Sequence, residues 1–359
     1  MVTTTTSPCA PSDALAFQAG ILERVSRTFA FTIPQLPSPL TTAVANAYLL
    51  CRIADTIEDE PELSQGQKEA FSRRLVAVLA GEAAAEEFAE ALVPLLSEHT
   101  LPAERELIAQ TRHVLAVTRA LGKREQAALR RCVQVMSEGM SQCQRTADLS
   151  GLADLPELDQ YCYYVAGVVG EMLTELFCAY SPEIAERQPE LMDLAPSFGQ
   201  GLQMTNILKD INADRARGVC WLPRSLYAGV CGELSDLIGE ATTAGHQAAM
   251  SHLVAIAHAH LRNALRYTLL IPAREQGIRR FCLWAVGLAL LTLRNIYRRP
   301  GFEDAGEIKV SRRTVAAVAL LGRLSARSDG LVHAFFALAA RGLPAAAERP
   351  SWVRGQPGR

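Results

Sequence analysis

The stretch Tyr48-Leu49-Leu50-Cys51-Arg52-Ile53-Ala54-Asp55-Thr56-Ile57-Glu58-Asp59 sets three acidic residues into an apolar run. Asp55, Glu58 and Asp59 stand at positions i, i+3 and i+4, which share one face of an α-helix. Like charges on adjacent turns repel each other, and within an apolar run they are costly unless a cation offsets them. The pattern therefore predicts a helix with an acidic face that binds a cation.

The composition is that of an ordinary globular protein. The chain has 359 residues, 49% hydrophobic and 21% charged, with a formal net charge of −2. This balance argues against a nucleic-acid partner, which needs a basic surface. The nine cysteines form no CxxC pair and the seven histidines show no zinc-binding spacing. We therefore expect reduced thiols in a cytoplasmic protein and no transition-metal catalysis.

Helical periodicity runs along the chain, and no alternating strand pattern stands out. We expect a fold of the all-α class, with a single domain over residues 13–341 between flexible tails at 1–12 and 342–359. The connection 299–310 is predicted to be a mobile loop. Helices are predicted over 13–26, 38–60, 65–80, 83–98, 101–119, 123–146, 156–180, 183–213, 235–270, 275–298 and 311–341, the last broken near 328–330.

The longest apolar run extends from Cys282 to Leu293, between Arg280 and Arg294. Twelve residues are too few to span a bilayer, but they suit a buried helix. The N-terminal residues lack the basic-then-apolar pattern of a signal peptide. We therefore expect no transmembrane anchor.

A second acidic helix face is predicted downstream of the first. Asp210 and Asp214 are four residues apart, and Asn206 stands one turn earlier. Two such faces across a bundle core would offer the hard oxygen ligands that Mg²⁺ prefers, alongside water and substrate phosphate oxygens. The alternative is two solvated helix faces with unrelated charges.

Basic residues stand next to both acidic segments. A diphosphate bridged to a metal needs such cations, because negative charge develops on it as it departs. Arginines that only neutralise neighbouring carboxylates are the alternative. The residues are Arg27, Arg52, Lys209, Arg215 and Arg217.

The stretch Tyr161-Cys162-Tyr163-Tyr164-Val165-Ala166-Gly167-Val168-Val169-Gly170 places two glycines inside a predicted helix. Each costs about 1 kcal/mol relative to Ala there, so Gly167 and Gly170 indicate close packing or the approach of a ligand. Tyr161 and Tyr164 share a face and would offer a phenol inside an apolar cavity. The alternative is a structural tyrosine whose hydroxyl is paired with a neighbour.

Together these motifs resemble the squalene/phytoene synthase family of head-to-head prenyl transferases, over about residues 15–300. The resemblance implies an all-α isoprenoid-synthase helical bundle around a deep apolar cavity. Within the family, the stretch from Arg52 to Asp59 is most similar to squalene synthases, whereas Glu171-Met172-Leu173-Thr174 is more similar to bacterial carotenoid-type members. The supporting motifs are Ser26-Arg27-Thr28-Phe29, Asp55-x-x-Glu58-Asp59, the tyrosine stretch, Asn206-Ile207-x-x-Asp210-x-x-x-Asp214 and Trp221-Leu222-Pro223.

The resemblance implies a Mg²⁺-dependent enzyme that condenses two farnesyl diphosphates to presqualene diphosphate and then reduces this intermediate to squalene with NADPH. We expect Tyr161 to assist a proton transfer. The implied metal ligands are Asp55, Glu58, Asp59, Asn206, Asp210 and Asp214. Within the first triplet, Asp55 and Asp59 are the expected metal-facing pair and Glu58 is the more replaceable member. The implied substrate contacts are Ser26, Arg27, Tyr48, Arg52, Gln203, Lys209, Arg217, Phe281 and Tyr297. The implied NADPH contacts are Lys309, Ser311 and Arg312.

Some features depart from the squalene synthase pattern. No GxGxxG dinucleotide signature is present, and Leu283-Trp284-Ala285-Val286 differs from the eukaryotic enzymes, whose C-terminal membrane helix is also absent. One alternative is a synthase without the reductive step, which makes dehydrosqualene or phytoene. Another is a non-catalytic helical scaffold that binds a prenyl lipid. An oily product favours peripheral association with a membrane.

Overall fold

The computed structural model describes residues 11–26, 28–145, 147–228, 234 and 244–347. Within these ranges helices are the only extended regular elements, and one isolated bridge pairs Leu152 with Pro223. This confirms the predicted all-α fold. Part of the predicted helix 235–270 lies outside the described residues, as do Arg27 and most of both predicted tails.

Sixteen α-helices are found among the described residues. Between α9 and α10, Tyr163–Gly167 forms one turn of π-helix. In chain order the helices are α1 (Pro11–Val25), α2 (Phe29–Thr32), α3 (Ser38–Asp59), α4 (Gln65–Ala80), α5 (Ala85–Leu92), α6 (Pro102–Ala109), α7 (Thr111–Ala120), α8 (Lys123–Gln144), α9 (Leu155–Cys162), α10 (Val168–Tyr180), α11 (Pro182–Ala185), α12 (Gln188–Ala216), α13 (Ala244–Leu270), α14 (Gln276–Arg298), α15 (Arg312–Ser325) and α16 (Asp329–Ala339).

Predicted boundaries agree with the structure where the sequence carries strong capping signals. The Ser64 hydroxyl accepts a hydrogen bond from the Gln67 amide, and the Gln67 side chain accepts one from the Ser64 amide. This capping box starts α4, and Gly81, with a φ of 80°, ends it. The predicted helix 65–80 is therefore confirmed.

Other predicted helices are interrupted in the structure. The predicted helix 101–119 forms α6 and α7, which meet at Gln110. The predicted break near 328–330 is confirmed, because the Ser328 hydroxyl caps α16 by accepting a hydrogen bond from the Leu331 amide (3.3 Å). The π-helical turn interrupts the predicted helix 156–180, and periodicity gave no signal of it.

The backbone divides into two compact units. One comprises the residues up to Ser141 together with Glu175–Ser181, and the other comprises Gln142–Thr174 together with the residues from Pro182 onward. In the first unit α3 packs against α1, α6 and α7. Leu49 and Ile53 of α3 are wholly buried, so the predicted acidic helix is a core element of this unit.

In the second unit α12 packs against α13, α14 and the π-helical turn. A Cβ atom added to Gly170 would lie 2.2 Å from the carbonyl oxygen of Ala195, and one added to Gly199 would lie 2.0 Å from that of Ala166. Neither space can hold a side chain. Of the two explanations for a glycine inside this helix, close packing or the approach of a ligand, close packing therefore applies at Gly170.

Two helical segments in the described part are long and apolar enough to cross a membrane by length and composition. They are Leu155–Tyr180 and Gln276–Arg298, and 56% and 67% of their most apolar windows are buried inside the protein. Apolar residues on several faces are typical of helices in the centre of a bundle. The burial of both segments fits that role.

Candidate active site

The acidic residues of the first unit lie on the last turns of α3. Asp55 and Glu58 are half-buried and Asp59 is exposed. Withdrawal from water raises the pKa of Asp55 to about 7; Arg52 opposes this rise, and the charges of Asp59 and Glu104 add to it. The negative charge of this face is thus only partly compensated. A hard divalent cation would supply the missing charge, so the donor set fits Mg²⁺.

Arg52 is held beside these acids by partners on several sides. Its Nη2 donates to the Tyr48 hydroxyl oxygen (3.3 Å), its guanidinium lies 5.9 Å from the Tyr48 ring centroid, and its Nη1 lies 3.7 Å from Glu104 Oε1. The Tyr48 hydroxyl in turn donates to the Val25 carbonyl oxygen (3.2 Å). The two predicted substrate contacts therefore interact directly, and Tyr48 holds the Arg52 guanidinium group in place.

Sequence reasoning missed two charged residues at this face. Glu104 comes from α6 and lies near Arg52 and Asp55. Lys68 comes from α4, where its ammonium group donates to the Glu58 carbonyl oxygen. Burial lowers the pKa of Lys68, against the opposing charges of Glu58 and its acidic neighbours. Neither residue carried a local signal, because each reaches the face only through helix packing.

Ser26, a predicted substrate contact, is buried, and its hydroxyl accepts a hydrogen bond from the Phe29 amide (3.0 Å). The Phe29 ring lies 5.1 Å from the Tyr48 ring, between centroids. Phe29 therefore lies against α3. Arg27, within this motif, is outside the described residues.

The acidic face of the second unit lies on α12. Lys209 Nζ lies 3.1 Å from Asp210 Oδ2 and donates to Asn206 Oδ1 (3.4 Å). Asn206 is exposed, and both Asp210 and Lys209 are half-buried. The predicted metal ligands therefore share a lysine whose ammonium group can turn toward an anion. Gln203, one turn earlier on the same helix, is also half-buried.

Asp214 and Arg217 form a pair, although the sequence predicted a metal ligand and a separate substrate contact. Arg217 Nη2 donates to Asp214 Oδ1 at 2.5 Å, and Asp214 is buried. This ion pair closes the C-terminal end of α12. Asn206 and Asp210 are therefore the more accessible oxygen donors of this face.

Among the described residues, no group of three or more His, Cys, Asp or Glu side chains is close enough to hold a metal ion. Mg²⁺ differs from zinc in this respect, because it often uses one or two carboxylates and completes its shell with water and substrate phosphate oxygens. The α3 and α12 faces offer donors of that kind. Their assignment as metal ligands remains a prediction.

Tyr161 is buried in the last turn of α9, and the π-helical turn begins two residues later at Tyr163. Its ring stacks on Trp221, with 3.9 Å between centroids and 9° between planes. Tyr164 is also buried, and its hydroxyl accepts a hydrogen bond from Gln160 Nε2 (3.1 Å), so Tyr164 is a structural tyrosine paired with a neighbour. π-helical turns often occur at functional sites.

Trp221 is positioned by backbone hydrogen bonds between two connecting segments, 148–153 and 220–225. The Cys220 amide donates to the Asp148 carbonyl oxygen (2.9 Å), and the Leu152 amide donates to that of Leu222 (3.0 Å). Gly151 has a φ of 79°, and a Cβ added there would lie 2.5 Å from the Leu222 oxygen. Only glycine fits this approach. The pairing fixes the Trp221-Leu222-Pro223 motif.

A buried polar network joins three helices of the second unit, and sequence reasoning did not find it. The hydroxyl of Ser197 lies 2.8 Å from His260 Nδ1 and accepts a hydrogen bond from Asn263 (3.0 Å). His260 Nε2 lies 3.7 Å from the carboxylate of Asp159, while Gln200 donates to the Asp159 carbonyl oxygen (3.1 Å). Ser197 is buried and engaged, so this Ser, His and Asp set joins α9, α12 and α13.

The remaining predicted contacts lie on α14 and in the loop after it. Phe281 is buried, and Tyr297 is 39% exposed. The loop predicted to be mobile is tethered, because Asn212 donates to the Phe302 carbonyl oxygen (2.8 Å) and Asn295 to that of Ile308 (2.9 Å). Both tethers come from neighbouring helices.

The predicted NADPH contacts offer a limited donor set. The Ser311 hydroxyl accepts a hydrogen bond from the Thr314 amide (3.2 Å), which caps α15. Lys309 and Arg312 are exposed. Two exposed cations suit a phosphate group, but nothing in this set is specific to a nicotinamide ring.

Comparison of the sequence with known protein families assigns the chain to one of them. The sequence profile of the family described as Squalene/phytoene synthase matches residues 22–314. The chain belongs to this family. The matched region contains both acidic helix faces, the tyrosine stretch and Trp221, so the predicted resemblance is confirmed.

Three individual relatives are similar at low identity. The squalene synthase of Eremothecium gossypii is 28% identical over 289 residues, covering 77% of this chain but only 61% of that protein. The solved structure of TcSQS with the ligand BPH1237 has a TM-score of 0.69 at 23% identity and covers 92% of this chain and 98% of that one. A dehydrosqualene synthase in complex with a ligand has a TM-score of 0.63 at 22% identity, covering 88% and 96%. The two structures share the all-α isoprenoid-synthase fold with this chain.

Proposed function

We propose that this protein is a squalene synthase that joins two farnesyl diphosphate molecules head to head. The observation that carries the proposal is the α3 face, where Asp55 is withdrawn from water among Asp59, Glu104 and Arg52 and has its pKa raised to about 7. Such a carboxylate set calls for a divalent cation, and a magnesium-bound diphosphate is the ligand that this family's chemistry supplies. Membership of the family supports the substrate class.

The first half-reaction follows from charge and proton placement. Mg²⁺ would polarise the diphosphate leaving group. Arg52 on α3 would donate to phosphate oxygens, stabilising the charge that forms as the carbon–oxygen bond breaks and its electron pair leaves with the diphosphate. Lys209 is the corresponding cation of the α12 face. The double bond of the second farnesyl group attacks the allylic cation. Loss of a proton then closes the cyclopropane of presqualene diphosphate.

Tyr161 would assist that proton loss. Its ring is held against Trp221 by stacking, so its hydroxyl has a fixed position in a buried, mostly apolar region. An oriented phenol can relay a proton to the departing diphosphate or to water without ionising in bulk solvent. The departing diphosphate is itself a base within the same reaction.

We further propose that the product is squalene, which requires a second ionisation and a hydride donor. NADPH is the proposed donor, and Lys309 and Arg312 are the cations that would meet its phosphate. The supporting observation is that Asn212 and Asn295 hold the 299–310 loop by hydrogen bonds to its backbone. The backbone next to these two cations is therefore held in position. The competing products are dehydrosqualene and phytoene, formed without reduction.

The test is product identification with the purified chain, Mg²⁺ and farnesyl diphosphate, with and without NADPH. Squalene formed only with NADPH is the expected result. Dehydrosqualene in the presence of excess NADPH would reject the reductive half but keep the condensation. Turnover of geranylgeranyl diphosphate in preference to farnesyl diphosphate would favour phytoene. Binding of the prenyl diphosphate without any release of diphosphate would favour the scaffold alternative.

A further inference from the structure

The last two described helices carry an exposed apolar surface, which we call the leucine surface. Large apolar side chains this exposed are unusual when several share one helix pair. Their exposed fractions are 59% for Leu320, 39% for Leu321, 52% for Leu324, 49% for Leu331 and 54% for Leu338. All five lie beyond residue 314, where the family match ends.

The leucine surface lies on the side of α15 and α16 turned away from α14. A Cβ added to Gly287 of α14 would lie 2.9 Å from Val318 of α15 and 2.7 Å from Phe335 of α16, so both helices rest on α14 at one point. Val318 and Phe335 are buried, and the leucines occupy other faces. The inward faces already fill the core, so core packing does not account for the outward leucines.

A helix apolar on every face is ordinarily buried. α16 is short and apolar, with Val332, Phe335 and Phe336 packed inward and Leu331 and Leu338 exposed. Such a helix needs a second apolar environment.

The same region is strongly basic. Residues 308–347 contain six Lys or Arg residues and one acidic residue, in a chain whose formal net charge is −2. That acid, Asp329, lies 2.8 Å from Arg279 Nη1. Arg323 and Arg327 are exposed, and burial together with their positive charges lowers the pKa of Arg280 on α14. The leucine surface therefore lies in a positive field.

We propose that the leucine surface, with Arg323 and Arg327, docks onto an anionic lipid bilayer. Leucines inserted at the boundary between headgroups and acyl chains recover apolar contact, and flanking cations pair with anionic headgroups. A second copy of the chain is a poorer occupant, because it would bring an equal excess of positive charge to the same surface. This docking does not depend on the proposed reaction and can be measured without turnover.

The test is flotation of the full chain with vesicles of phosphatidylcholine alone and of phosphatidylcholine mixed with phosphatidylglycerol. We expect the chain to float with the anionic vesicles and to be released by high salt, because screening weakens the arginine contribution. The double variant Leu320→Glu with Leu324→Glu should lower the bound fraction about tenfold or more. Its matched control is Leu101→Glu, since Leu101 is 58% exposed in the first unit.

A second pair of variants separates charge from apolar contact. Arg323→Gln with Arg327→Gln should lower binding to anionic vesicles about tenfold, since each cation near a charged surface contributes on its own. Arg124→Gln, an exposed arginine on α8, should change nothing. Circular dichroism of every variant checks the fold.

Three outcomes would overturn the proposal. The first is a chain that does not float with anionic vesicles. The second is a Leu320→Glu with Leu324→Glu variant that floats as well as the parent chain. The third is a dimer in sedimentation that this double variant dissociates, with no lipid binding, which would assign the surface to a second copy.

Discussion

The ring of Tyr161 lies face to face with that of Trp221, with 3.9 Å between centroids and 9° between planes. The two residues are sixty positions apart, and Trp221 reaches Tyr161 only because residues 220–225 pair with residues 148–153. Stacking fixes the ring plane, and therefore the direction of the hydroxyl, in the last turn of α9. A residue that hands on a proton needs such a fixed direction.

Tyr161→Phe should separate chemistry from packing. The phenyl ring can keep its stack on Trp221, so we expect the free energy of unfolding to stay within about 1 kcal/mol. Loss of the hydroxyl should slow formation of presqualene diphosphate by about 10²-fold or more. Product analysis in single-turnover reactions, with urea unfolding, measures both. Unchanged turnover would rule out a proton-transfer role.

Trp221→Ala should affect both properties. Removing a buried indole costs about 3–5 kcal/mol of stability and frees the Tyr161 ring. Trp221→Phe, which keeps an aromatic face, should retain most of the activity. If Trp221→Ala lowered stability but left turnover at the parent level, the stack would be structural only.

Asp55→Asn and Glu58→Gln should differ in activity. The Asp55 carboxylate belongs to the α3 set that calls for a cation, so the amide should lower diphosphate release by about 10²-fold and raise the Mg²⁺ concentration needed. Glu58→Gln should cost less than about tenfold, since we expect Glu58 to be the most replaceable ligand. Diphosphate release across a Mg²⁺ titration measures both. Equal losses would contradict distinct roles.

Gly170→Ala and Gly20→Ala make a matched pair of small changes. At Gly170 the new methyl group would meet the Ala195 carbonyl oxygen, so we expect a loss of about 1–3 kcal/mol or more. At Gly20 within α1 it meets nothing within 4 Å, so helix propensity should raise stability by about 0.5–1 kcal/mol. Thermal unfolding of both variants measures the difference. Equal effects would contradict the close packing of α12.

His246 should make stability depend on pH. Burial lowers the pKa of His246 below its ordinary value of 6.5, and its Nε2–H donates to the Pro300 carbonyl oxygen (3.2 Å). As pH falls below 6.5 the unfolded chain takes up a proton that the folded chain refuses, so stability is lost from that pH downward. His246→Gln keeps a donor and should flatten this loss, whereas exposed His333→Gln should not. Urea unfolding at about pH 5.5 and about pH 7.5 measures it.

Much of the fold follows from local signals in the sequence. The i, i+3 and i+4 spacing of Asp55, Glu58 and Asp59 fixes their shared helix face, because a helix has 3.6 residues per turn. The capping box at Ser64 and the glycine at Gly81 set both ends of α4 for equally local reasons. The order of the motifs was enough to indicate the family.

Other features were decided by tertiary structure alone. Glu104 and Lys68 joined the α3 face, Asp214 paired with Arg217, and the loop predicted to be mobile was tethered by Asn212. None of these has a local signature except the short-range Asp214 pair, whose geometry depends on how α12 ends. Periodicity reports which side of a helix a residue occupies, but not what packs there. The stack of Tyr161 on Trp221 likewise required two distant segments to pair, which only the folded backbone determines.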